Sequence, residues 1–142
     1  MKVYFSCSLT GGRNDQPVYA AIVAALQAGG QSVLTAHLAN PAALESESRL
    51  GPEAVYARDI AWLDEADVIV AEVGTPSHGV GYEVAYAVLS GKRVLCLARE
   101  GAPVSKMITG NPRLTFVWYE EAEQAVGIVA RFVGRRADDR FA

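Results

Sequence analysis

The sequence predicts a doubly wound α/β domain of the flavodoxin-like (Rossmann-like) kind, with a five-stranded parallel sheet in the order 2-1-3-4-5. Three observations carry that expectation. Apolar runs of strand length alternate with amphipathic stretches of helix length. The runs are continuously apolar, as in strands covered on both faces. The 142 residues, 51% apolar and 20% charged, suit one globular domain with its own core.

Lys2–Ser6, rich in Val, Tyr and Phe, is the first strand. Asp15–Ala28 is helical, because Val18, Ala21, Ile22, Ala25 and Leu26 recur on one face. Asp15 can cap it, Pro17 suits its first turn, and Gly29-Gly30 ends it. Ser32–Ala36 is the second strand. Leu38–Gly51 has no clear period and contains Asn40-Pro41, so it reads as a surface loop with room for a helical turn. Pro52–Ala66 is the second helix and Asp67–Val73 the third strand. Gly81–Ser90 is the third helix, closed by Gly91. Arg93–Ala98 and Leu114–Tyr119 complete the sheet, and Glu120–Val133 is the last helix. Residues 1–134 are expected to form the single domain. Residues 135–142, charged and aperiodic, read as a disordered tail.

The formal net charge is −3 and no lysine-rich run occurs, which argues against a nucleic acid polymer as partner. A single nucleotide needs only a few donors and stays allowed. Cys7 and Cys96 lie inside apolar runs and read as buried free thiols of a reduced compartment. There is no CxxC and no Cys/His cluster of zinc spacing, so no metal is expected. MKVYFSCSL is too short for a signal peptide, and no apolar stretch reaches membrane length. The expected location is the cytoplasm.

In a 2-1-3-4-5 sheet the switch point lies between the first and third strands. The loops Ser8–Asn14 and Gly74–Val80 should therefore line the site. Gly11-Gly12 lets backbone N–H groups approach an anion, although a plain glycine turn reads equally well. Ser77 and Gly79 precede a helix expected to open near Tyr82, whose N-terminus would favour an anion. Gly79-Val80-Gly81 is not a dinucleotide fingerprint, because Val84 stands where the third glycine is required.

Glu83 falls in the first turn of this expected helix, where the dipole would keep it ionised. It is the main candidate for chemistry, the alternative being a surface glutamate. Asp59 shares a helix face with Val55, Trp62 and Leu63. Desolvation there would hold its proton longer and suit a general acid. The alternative is a rim aspartate paired with Arg58 or Arg93. Two carboxyls in unlike environments are what glycosidic cleavage needs: one protonates the leaving group, the other attacks or stabilises the sugar. Tyr4 could orient Glu83 or serve as a core aromatic. His37 and His78 fit no Ser/Cys–His–Asp pattern, and GxSxG is absent. Ile22 and the Leu38–Gly51 segment are expected to shape the pocket beside the carboxyls.

The stretches YFSCSLTGGRNDQ, DIAWLDEADVIVAEV and TPSHGVGYEVAYAVLSGK resemble the nucleoside 2-deoxyribosyltransferase superfamily, over roughly Lys2 to Val133. The likeness is nearer to its 2′-deoxynucleoside 5′-phosphate N-hydrolase branch. It implies a flavodoxin-like fold, a homodimer and no cofactor. It also implies hydrolysis of deoxynucleoside monophosphates to free base and 2-deoxyribose 5-phosphate. Glu83 matches the nucleophile that forms a covalent deoxyribosyl ester, Asp59 the carboxyl on the base side, and Tyr4 the tyrosine that orients the nucleophile. Ser77 matches a phosphate-binding serine, and Ser105 in PVSKMITG one that reaches the neighbouring subunit's site. In the transferases an aspartate stands six residues before the nucleophile. Ser77 there removes a charge that would repel a phosphate. Thr10 departs from the arginine expected before Gly11-Gly12, and Arg13 is the expected substitute. The rival reading is a transferase exchanging bases on deoxyribose. A non-enzymatic binding module is a third. Ser6-Cys7-Ser8 lacks the acidic pair of a receiver domain, and SLTGG only faintly resembles a flavin phosphate loop.

Overall fold

In chain order the elements are β1 (Lys2–Ser6), α1 (Gln16–Ala28), β2 (Ser32–Val33), a 3₁₀ turn (Ala36–Ala39), α2 (Ala43–Glu47), α3 (Pro52–Glu65), β3 (Val68–Glu72), α4 (His78–Leu89), β4 (Arg93–Arg99), α5 (Lys106–Thr109), β5 (Thr115–Tyr119) and α6 (Ala122–Gly134). The structure, a computed structural model, describes residues 1–135. All five strands are parallel and run in the order β2-β1-β3-β4-β5, as the sequence predicts. The expected tail lies outside the described residues, apart from Arg135.

Strand residues alternate between two apolar layers, which is why the runs are continuous. Val3, Phe5, Val68, Val70, Leu95 and Leu97 pack beneath α1 and α6. Tyr4, Ile69, Ala71, Val73, Val94 and Cys96 pack beneath α3 and α4. Burying one such aliphatic side chain contributes about 1.5–3 kcal/mol. No helix among the described residues is long and apolar enough to cross a membrane.

Two local expectations are corrected, and a third, the loop with room for a helical turn, is made definite. β2 stops at Val33, because the Thr35 hydroxyl replaces the next ladder contact. It accepts from the Phe5 N–H at 2.9 Å and donates to the Phe5 carbonyl at 2.7 Å. Ala36 then enters the 3₁₀ turn. Asp15 makes no side-chain cap; its Oδ1 lies 3.3 Å from Arg99 Nη2. The segment 38–51 is more ordered than a loop: it ends the 3₁₀ turn and forms α2.

At the end of β3, Glu72 is fully buried. Its Oε1 accepts from the Gly74 N–H at 3.0 Å and from the Tyr119 hydroxyl at 3.5 Å, while Oε2 has no partner. Burial pushes this carboxyl from its ordinary 4.5 to about 7; the Gly74 N–H pulls it back and the Asp15 charge adds to the rise. The folded protein therefore holds a proton that the unfolded chain has released between about pH 4.5 and 7. This contribution to stability is full below that window and fades as pH rises through it. Glu72→Gln should flatten the fall in unfolding free energy between pH 5 and 8 by ~2 kcal/mol. Denaturant melts at the two pH values check this.

Candidate active site

α4 begins earlier than the glycines suggest. Ser77 has extended backbone (φ −149°) and its Oγ accepts from the Val80 N–H at 3.3 Å, so it is the N-cap and His78 the first helical residue. Glu83 therefore sits in the second turn, not the first, and the helix dipole is not what sets its charge. Ser6 Oγ donates to Glu83 Oε2 at 2.5 Å. Burial of the carboxyl, with the nearby Asp59 charge adding to it, raises its pKa from 4.5 to about 7; Ser6, Tyr4 and Arg58 pull it partly back.

β1 supplies both of these neighbours. Tyr4 and Ser6 are two apart on a strand, so both point to the α3/α4 face. Tyr4 is fully buried. Its hydroxyl is close enough to draw the Glu83 pKa down, yet it meets no partner of full hydrogen-bond geometry. Sequence reading named Tyr4 and missed Ser6, although the same parity applies to both.

Asp59 projects from α3 with 16% of its side chain exposed. Arg58 Nε donates to its Oδ1 at 2.9 Å. Arg93 is committed elsewhere, to the carbonyls of Phe132 and Arg135. Burial raises the Asp59 pKa, the Arg58 hydrogen bond and charge lower it, and the net direction is upward. Asp59 is thus both a paired aspartate and a residue of the crevice.

Two depressions meet at the carboxyl ends of β1 and β3. One, of about 660 Å³, is lined by Leu44, Glu47, Tyr56, Asp59, Gly79, Tyr82 and Glu83 among others. The second, of about 860 Å³, is lined by Gly11, Ser77, Val80, Val104, Ser105 and Met107 among others. Thr10 and His78 line both. Either volume suits a small organic ligand. Ser105 caps α5, accepting from the Met107 N–H at 3.2 Å, and within one chain it lines the same depression as Ser77. A Cβ on Gly79 would meet nothing nearer than Ser77 Oγ at 4.0 Å, so the glycine leaves open room at the helix entrance.

The glycine pair answers to packing. A Cβ on Gly11 would stand 2.2 Å from the Pro76 carbonyl oxygen, and Gly12 has φ +125°. Both residues are needed to bring the β1–α1 and β3–α4 loops together. Arg13 is turned away from the crevice. Its guanidinium donates to the carbonyls of Ser8 (3.2 Å), Leu38 (2.9 Å) and Asn40 (2.8 Å) and stacks over Tyr19. These bonds tie the segment 38–40 to the first loop and engage the guanidinium that was expected to meet a phosphate. Ile22, on the inner face of α1, is fully buried in the core and is not a wall of either depression.

Sequence reading also missed a charged chain behind Asp59. Arg58 Nη2 lies 2.9 Å from Glu47 Oε1, and His37 Nε2 lies 2.7 Å from the same oxygen. Arg58 and His37 both rest against the Trp62 ring, at 4.8 and 5.6 Å.

A buried carboxyl held at a switch point, with a second carboxyl across the crevice, defines a doubly wound α/β enzyme domain. The chain belongs to the nucleoside 2-deoxyribosyltransferase family, whose model matches residues 3–137. A protein of Syntrophotalea carbinolica, provisionally named 2′-deoxynucleoside 5′-phosphate N-hydrolase 1, is 42% identical over 87% of this chain and 88% of its own. The 5-hydroxymethyl-dUMP N-hydrolase of Mus musculus is 50% identical over 76% of this chain, which spans 64% of that protein. The solved CMP N-glycosidase of Clostridium botulinum, BcmB, superposes with a TM-score of 0.71 over 93% of this chain and 99% of its own; at 16% identity that likeness is one of fold.

Proposed function

We propose that the chain hydrolyses the N-glycosidic bond of 2′-deoxynucleoside 5′-monophosphates to free base and 2-deoxyribose 5-phosphate, through a covalent glycosyl-Glu83 intermediate. The observation that carries this reading is the Glu83 carboxyl, held by Ser6 in the crevice that also contains Asp59. The names of the N-hydrolase relatives support the same reaction class.

The roles follow from position. Ionised Glu83 attacks the sugar's C1 as the bond to the base breaks. Asp59 gives its proton to the departing base, then takes one from the water that opens the ester. Tyr4 and Ser6 orient the nucleophile. Ser77 uses an oxygen lone pair to cap α4, which leaves its O–H to donate to the phosphate. The first-turn N–H groups beside Gly79 supply further donors. Thr10, at the junction of the depressions, lies where sugar and phosphate would join, with Gly11 and Gly12 holding the loop. The whole reaction is assigned to one domain, residues 1–134.

Ser77→Asp places a carboxylate against the phosphate. The KM for a nucleotide should rise about tenfold or more, while that for the matching nucleoside changes far less. Steady-state kinetics on the pair of substrates measures it.

We carry the homodimer as part of the proposal, with Ser105 contributing to the neighbouring site. Met107, beside Ser105, is 84% exposed, and Val80, Val84, Val104 and Ile108 give this depression an apolar lining. A single species of monomer mass in sedimentation at micromolar concentration would contradict it. Two buried free thiols support placement in the cytoplasm.

The reaction is tested by chromatography of base released from a panel of deoxynucleoside 5′-monophosphates, with nucleosides and ribonucleotides alongside. Release from the deoxynucleotides is expected. Turnover only of nucleosides, and only with an acceptor base, would make the protein a transferase.

A further inference from the structure

The charged chain behind Asp59 has no part in the reaction as proposed, yet it is built with care. It joins the 3₁₀ turn, α2 and α3 through His37, Glu47 and Arg58, and it ends on Asp59. Glu47 has only 10% of its side chain exposed, and its Oε2 is buried without a partner. A carboxylate is desolvated this far only where something outweighs the penalty. Here the hydrogen bonds from Arg58 and His37 do so: burial would raise the Glu47 pKa, but they hold it below its ordinary value.

The consequence falls on Arg58. One guanidinium serves two carboxylates, at 2.9 Å each. With Arg58 devoted to Asp59 alone, Asp59 would be a tightly paired, permanently ionised aspartate and a poor acid. We propose that Glu47 is a positioning residue: by sharing Arg58 with Asp59 it leaves the Asp59 carboxyl able to hold a proton and deliver it to the leaving base. This inference rests on the reading of Asp59 as the general acid. The groups that bear on Asp59 are Arg58 of α3, Glu47 of α2, His37 of the 3₁₀ turn, and Glu83 and Tyr4 across the crevice. Burial raises the Asp59 pKa, the Glu47 charge adds to the rise, and Arg58 and His37 oppose it.

The test compares Glu47→Gln and Asp59→Asn on two substrates: an ordinary deoxynucleoside 5′-monophosphate and N7-methylated deoxyguanosine 5′-monophosphate. The methylated base departs neutral and needs no proton. Glu47→Gln should lose at least tenfold in kcat on the ordinary substrate and stay within threefold on the methylated one, with KM little changed on both. Equal losses on both substrates, or no loss, would overturn the inference. If Asp59→Asn itself lost equally in kcat/KM on both, the general-acid reading would fail first, so the two failures are distinguishable. A second readout depends on no turnover, and its Arg58→Gln arm does not need E47Q protein. Carbon-13 NMR titration of the Asp59 carboxyl should show its midpoint moving down in Glu47→Gln and up in Arg58→Gln. Midpoints that stay put, or move together, would overturn it.

Discussion

Glu83→Gln should abolish turnover, with a loss of ~10⁴-fold or more in kcat, because the carboxylate that forms the glycosyl ester is gone. Glutamine keeps the shape and can still accept from Ser6, so the loss would be one of nucleophilicity and not of packing. The wild-type profile carries a second signature. On the N7-methylated substrate, which needs no acid, Glu83 must be ionised to attack and its pKa is pushed up to about 7, so kcat/KM should rise with pH through that value. The same desolvation gives stability the opposite trend. A carboxyl raised above its unfolded value stabilises below about pH 4.5 and loses that contribution as pH climbs to 7. At pH 8 the Glu83→Gln protein should therefore be inactive and at least as stable as wild type. Near-full activity in this variant would refute the mechanism.

Asp59→Asn is expected to cost ~10²–10³-fold in kcat on ordinary deoxynucleotides, the usual size of a lost general acid. The asparagine is close in size and keeps an oxygen for Arg58 Nε, so KM should barely move. On the N7-methylated substrate the loss in kcat/KM, which reports bond cleavage and not hydrolysis of the ester, should shrink to a few-fold. The ratio of the two losses isolates proton delivery from any general disturbance of α3.

The sheet order, the switch point and the alternation of helices were legible because each rests on long, continuous apolar runs. Glu83 and Asp59 were legible as carboxyls beside the switch point and on an apolar helix face, and both line one depression. The environment of Glu83 was not. Gly79 and Gly81 suggested that the helix opened late, whereas the Ser77 cap starts it at His78. Ser6 was hidden because a serine at a strand end has many uses, and only its parity with Tyr4 marks it. The structural use of Arg13 was hidden for a physical reason: an arginine beside two glycines looks like an anion site, and the three backbone carbonyls that hold it come from distant residues as well as near ones. The Glu47–Arg58 chain could not be read at all. It depends on α2 folding back over α3, and the aperiodic stretch 38–51 gives no signal for that. Trp62 was visible only as an apolar position, not as the surface on which Arg58 and His37 rest.

The central claim is that the sugar passes through a covalent bond to Glu83. It is tested most directly by quenching Asp59→Asn protein during turnover of N7-methylated deoxyguanosine 5′-monophosphate and mapping the peptides by mass spectrometry. The first step needs no acid with this substrate, while the second is slowed by loss of the base, so the intermediate should accumulate. The expected result is a 2-deoxyribose 5-phosphate adduct on Glu83, formed in step with a burst of released base. A full burst with Glu83 unmodified, or an adduct on another residue, would contradict it.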